Sequence, residues 1–96
     1  MSSFNSLELE VLRWGEQRGI LQHSNPMAQA SKTIEEVGEL VTAINNGDKG
    51  ACKDAYGDIL VTMILGADML GFSLIECLDA AYGEIDRKST RLNSSH

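Results

Sequence analysis

Five carboxylates in two short stretches are spaced to gather charge on helices: Glu35, Glu36 and Glu39 within Lys32-Thr-Ile-Glu-Glu-Val-Gly-Glu39, and Asp54 and Asp58 within Asp54-Ala-Tyr-Gly-Asp58. An α-helix turns about 100° per residue, so the three glutamates share one side, with Lys32 a turn before them. Asp54 and Asp58, four apart, are neighbours on their own helix. The second stretch runs into Ile59-Leu-Val-Thr-Met-Ile-Leu65, which predicts burial for Asp58. A buried carboxylate needs a compensating cation or it protonates. Oxygen-only ligands suit Mg²⁺, with Mn²⁺ as a substitute. Taken alone, the glutamate stretch fits a solvated helix face as well as a site; the expected burial of Asp58 favours a site.

The elements that must position these groups read as four helices. The first spans about Ser6 to Arg18, with Gly19 closing it, and a loop follows from Ile20 to Asn25. Asn25-Pro26 pairs a capping residue with a proline suited to a first helical turn. Met27, Ala30, Ile34, Val37, Val41 and Ile44 form an apolar stripe that predicts the core face of the second helix, which stops at Asn45-Asn46-Gly47. The third helix is expected from about Asp48 to Leu70. Ser73-Leu-Ile-Glu76 matches a capping box and opens the fourth, whose expected core stripe is Leu74, Leu78, Ala81 and Ile85. An antiparallel turn at 45–50 lets the two acidic faces meet. Gly38 and Gly57 sit beside the acids, and a mid-helix glycine predicts close approach of a helix or ligand.

The chain has 96 residues, 43% hydrophobic and 23% charged, which predicts one globular domain. A net charge of −6 argues against nucleic acid and anionic membrane as partners. Cys52 and Cys77 lack metal-site spacing and read as reduced packing thiols. With no signal peptide visible and the 59–70 stretch too short to span a bilayer, a cytoplasmic location is expected. The apolar helix around Met63, Ile64 and Met69 predicts a homo-oligomer, because a small subunit covers such a surface poorly. Residues 89–96 lose periodicity and read as a disordered or expression-derived tail, leaving a domain over 1–88.

Lys-x-x-Glu-Glu-Val-Gly-Glu-Leu, a Gly-Asp-Ile-Leu helix and Ala-Tyr-x-Glu-Ile-x-Arg-Lys, in that order over residues 7–88, resemble the MazG family of all-α nucleoside triphosphate pyrophosphatases. The resemblance implies a four-helix, bundle-like fold completed by oligomerisation, as a dimer or a tetramer built from two dimers. It implies Mg²⁺-dependent hydrolysis of (deoxy)nucleoside triphosphates to the monophosphate and pyrophosphate, a house-cleaning role. Phosphoribosyl-ATP pyrophosphatase shares the architecture and is the alternative enzyme. A noncatalytic acidic helical module for a basic partner is the alternative outside enzymes.

The family pattern maps Glu36, Glu39 and Asp58 as metal ligands. Ala55 stands where the family keeps a glutamate, and Asp54 is the candidate replacement. The extra glutamate, Glu35, is implied as the base that activates water. Lys32, on the acidic face, is expected to contact phosphate, joined by Arg87 and Lys88 from the end of the last helix. Those two also suit the helix C-terminal dipole. Tyr82 is a core residue or a site contact, and Trp14 core or a base-stacking platform. His23, Ser24 and Asn25 precede the metal helix, within reach of a base or sugar. No phosphate-binding glycine loop is present, so metal and side chains must bind the phosphates.

Overall fold

The computed structural model describes residues 3–94. Its helices are α1 (Phe4–Gln17), α2 (Ile20–His23), α3 (Pro26–Asn45), α4 (Lys49–Met69) and α5 (Leu74–Ser94). The described residues contain no strand, so the architecture is all-α as expected.

Local chemistry sets most of the ends. The Ala28 N–H donates to the Asn25 side chain at 2.8 Å, with Pro26 in the first turn. Asp48 caps α4 through the Ala51 N–H at 3.0 Å, and Ser73 receives the Glu76 N–H at 3.2 Å. Each side chain satisfies a donor that a helix start leaves free. Three ends differ from expectation. Ser3, not Ser6, caps α1. The expected loop after α1 contains the single turn α2, because Gly19 at φ 76° reverses the chain and the His23 N–H then bonds back to the Gly19 carbonyl. The last helix continues through Ser94 rather than ending near Lys88, since residues 89–94 hold neither glycine nor proline to stop it. The rest of the expected tail, residues 95 and 96, lies outside the described residues.

Packing centres on the antiparallel hairpin of α3 and α4. α1 crosses α4 at Gly15, where an added Cβ would stand 2.6 Å from Leu65 Cδ2, and Leu65 is buried. Glu8 of α1 is 5% exposed and its Oε2 accepts the Leu74 N–H at 2.8 Å, capping α5 from another helix. α5 then leaves α4 at a bend of 98°. No single helix among the described residues is long and apolar enough to cross a membrane. Cys52 and Cys77 are free thiols, but only Cys52 is half-buried; Cys77 is exposed and is not the packing residue expected.

The buried faces are not the most apolar ones. On α3 the face toward α4 carries Gln29, Thr33, Glu36, Leu40 and Ala43, at alternating steps of four and three. The stripe expected in the core lies outside: Ile34 is 72% exposed, and Met27, Val41 and Ile44 are exposed too. The α5 stripe is likewise corrected. Leu74 is half-buried, but Leu78, Ala81 and Ile85 are exposed because α5 swings clear of the hairpin. On α4, Met63 is exposed as expected, but Ile64 is buried and Met69 half-buried; with Tyr56 and Leu60 also exposed, uncovered apolar surface lies on α3, α4 and α5.

Candidate active site

The site begins with the register of α3 against α4. Thr33 Oγ1 and Thr62 Oγ1 lie 2.6 Å apart, one donating to the other, and the Gln29 carbonyl lies 2.9 Å from Thr33 Oγ1. One turn along, a Cβ added at Gly66 would stand 3.4 Å from the Gln29 Cβ. Followed the other way, this register brings Glu36 to the level of Asp58 and Ile59, and Leu40 to that of Ala55. Glu36 is half-buried, and its Oε2 is sealed from solvent with no hydrogen-bond partner. A buried acceptor left unpaired is costly, and native proteins rarely keep one without a ligand or functional reason.

Electrostatics mark the same point. The Glu36 carboxyl is held above the ordinary glutamate range. The neighbouring Glu39 carboxyl is the largest cause, followed by burial, then by the charge of Asp58; Lys32 opposes them. Like charges converging on a half-buried acid favour its neutral form. A divalent cation would relieve this charge, and carboxylate oxygens are donors that suit Mg²⁺, although the described side chains are not gathered at ligand spacing within one chain.

The remaining acids are placed less centrally. Asp58 is exposed, not buried as expected: Thr62 and Leu65, four and seven residues on along the same helix face, are buried, but Asp58 borders an open hollow between α4 and α1. It still acts on Glu36 through its charge. Asp54 and Glu35 are exposed and are not among the charges that shift Glu36. Ala55 is 5% exposed and packed toward α3. Among the described residues no three acidic, histidine or cysteine side chains stand together at ligand spacing. Gly38 and Gly57 face open space within the chain, so nothing in a single subunit accounts for them.

Beside the carboxylates lies an open cleft of about 610 Å³ between α1, α2 and the hairpin. That volume suits a nucleotide-sized ligand. Trp14, His23, Ser24, Asn25 and Lys32 all line it, so candidates scattered along the sequence meet in one place. Trp14 is 41% exposed, with the Arg18 guanidinium 5.8 Å from its ring centre, a cation–π contact. Trp14 is thus a cleft wall rather than core. It and Asp58 also line a second hollow with Glu10, which links the acids to α1.

Arg87, Lys88 and Tyr82 are not brought to this cleft within one chain. Arg87 pairs with Glu84 on its own helix. Tyr82 is exposed and borders a separate hollow with Asn5 and Asp79. Sequence reasoning missed Arg18, Gln29 and Thr62. Arg18 stands four residues after Trp14, a spacing that places a cation over a ring on one helix face. Gln29 and Thr62 gave no signal, because an isolated polar residue in an apolar run looks the same in solvent as in a seam.

A family model for the MazG nucleotide pyrophosphohydrolase domain matches residues 24–91, which covers α3, α4 and most of α5. The chain is also 31% identical over 65 residues to an uncharacterized 18.2 kDa protein in the rep-hol intergenic region of Haemophilus phage HP1. That alignment covers 68% of this chain and 40% of the phage protein, so the chain spans less than half the length of this relative. No solved structure matches the chain.

Proposed function

The chain belongs to the MazG nucleotide pyrophosphohydrolase family, and from that premise we propose that it hydrolyses (deoxy)nucleoside triphosphates to the monophosphate and pyrophosphate. The observation that carries this reading is Glu36. Its buried, unpartnered oxygen sits among the charges of Glu39 and Asp58, one turn from Lys32 and beside a nucleotide-sized cleft.

Glu36, Glu39 and Asp58 would hold Mg²⁺, with Asp54 at the edge of the set, and the bound ion would draw charge from the phosphate oxygens. Lys32 lies between the carboxylates and the cleft, where its ammonium binds phosphate and offsets the acids. Trp14 offers an aromatic wall for the base, and Arg18 adds positive charge there. Glu35, exposed at the solvent side of Glu36, is the candidate base that takes the proton of the attacking water. In-line attack is a matter of positioning, so the work of the chain is to fix phosphate and water against each other.

The exposed stripes of α3 and α5 support a homo-oligomer, as a dimer or a tetramer built from two dimers. A second copy covering them also offers a route for Arg87, Lys88 and Tyr82 to reach a site they do not reach in their own chain. Incubation with a panel of dNTPs and Mg²⁺ tests the activity. Monophosphate and pyrophosphate are expected; diphosphate and orthophosphate, or no product, would overturn the reading. Competition with phosphoribosyl-ATP separates the alternative enzyme.

A further inference from the structure

We infer that Gln29 reads the edge of the nucleobase and that Ser24 positions it, so that this pair sets which triphosphate the cleft prefers. The inference rests on the proposed nucleotide site. It starts from a polar side chain that packing alone does not explain. Gln29 is 7% exposed on the α3 face toward α4, yet it also lines the cleft with Trp14. Its Nε2 donates to Ser24 Oγ at 3.0 Å, and its side chain makes no other hydrogen bond among the described residues. Its carbonyl oxygen is nevertheless not sealed in, since among the described residues the one buried side-chain oxygen without a partner belongs to Glu36.

A carboxamide has two N–H donors and one acceptor oxygen. With one N–H held by Ser24, the oxygen and second N–H remain side by side. They complement a donor and acceptor adjacent on a base edge. The order along α3 matches the order within a nucleotide. Gln29 comes first, Lys32 follows one turn later, and Glu36 lies seven residues on, a rise of about 10 Å. Base, phosphate contact and metal carboxylate thus follow one another along one helix, with Trp14 as the wall beside the first.

The test compares wild type with Gln29→Glu, Gln29→Leu and Ser24→Ala. Two readouts are used: kcat/KM for the four dNTPs, and quenching of Trp14, the sole tryptophan, by the four deoxynucleoside monophosphates. A carboxylate at 29 only accepts, which suits the adjacent N–H donors of guanine. Gln29→Glu should therefore move the ratio of guanine to the other bases by about tenfold, in turnover and in quenching alike. Gln29→Leu should flatten the ratios, and Ser24→Ala should weaken them without reversing their order. Base ratios unchanged in both Gln29 variants would overturn the inference, and with hydrolysis intact would leave the proposed activity standing. Quenching that Gln29→Glu reorders in a protein without turnover would uphold base reading and remove the activity instead. Circular dichroism melting confirms that each compared variant is folded, and a merely structural role for Gln29 would lower all four substrates equally.

Discussion

Thr33 Oγ1 and Thr62 Oγ1 meet at 2.6 Å across the seam of α3 and α4, and this contact fixes the level at which Glu36 faces Asp58. The Ile59 carbonyl lies 2.8 Å from Thr62 Oγ1 and the Gln29 carbonyl 2.9 Å from Thr33 Oγ1, so one hydroxyl donates within its own helix while the other donates across the seam. Thr62→Val keeps the shape and removes the hydroxyl. It should destabilise the protein by about 1 kcal/mol in urea unfolding. The double change with Thr33→Val should cost less than the sum of the single ones, because both remove the same bond. Strict additivity would show that the pair is not coupled.

Glu36 makes stability depend on pH in an unusual sense for a carboxylate. Its folded pKa is raised above the ordinary glutamate value of 4.5, so the folded chain holds the proton more tightly than the unfolded one. The stability it contributes is fully present below the unfolded pKa and is lost as pH rises through the raised folded value. In chelator-treated buffer, stability should therefore increase as pH is lowered from neutral toward 4.5. Glu36→Gln should remove that part of the slope. Equal slopes in the two proteins by urea titration would count against a strained Glu36.

Glu39→Gln and Asp58→Asn should abolish turnover while leaving the helical circular dichroism unchanged. Both should raise the melting temperature of the metal-free protein, since each removes a charge that presses on Glu36. Added Mg²⁺ should raise the melting temperature of the wild type, further with nucleotide, and do so less in the variants, as a ligand specific to the folded state must. Variants that respond to Mg²⁺ as the wild type does would exclude these residues as ligands.

Ala55 offers a gain-of-ligand experiment. It is 5% exposed at the level of Leu40, in the seam that leads to Glu36. Ala55→Glu should lower stability in metal-free buffer by about 1–3 kcal/mol, the cost of a polar group buried without a partner. Mg²⁺ should recover more stability there than in the wild type. A loss that Mg²⁺ does not touch would place position 55 outside the metal set. Asp54→Asn should weaken Mg²⁺ binding in the wild-type background if the exposed Asp54 joins that set.

The apolar faces of α3 and α5 should be covered in solution. Light scattering should give a mass at least twice the 10.4 kDa of the chain. Ile34→Asp, at a position 72% exposed in the single subunit, should shift that mass toward the monomer without a penalty inside the subunit. A wild-type monomer at micromolar concentration would remove the oligomer from the reading.

The helix ends were legible in the sequence because their causes are local. Asn25-Pro26, Asn46-Gly47 and Ser73 with Glu76 act within a turn of themselves, and the structure uses all of them. Which face each helix buries was not legible. Ile34, Val41 and Ile44 look like core by spacing, yet the α3–α4 seam takes the smaller and more polar series of Thr33, Glu36 and Ala43. Burial belongs to the partner surface, and the partner of an apolar stripe need not lie in the same chain. The same reason undid the expected burial of Asp58. Lys32, placed by its spacing on the acidic face, and Trp14, left open between core and base platform, line one cleft.

The Glu8 cap on Leu74 ties together residues 66 apart in the chain. Closing so long a loop is entropically slow, so this contact is expected to form after the α3–α4 hairpin has folded locally. Once formed, it makes the direction of the last helix depend on the first. The family match begins at residue 24, after α1. The N-terminal helix therefore acts as a clasp, and a chain cut before residue 24 would keep the hairpin but lose the anchor of α5.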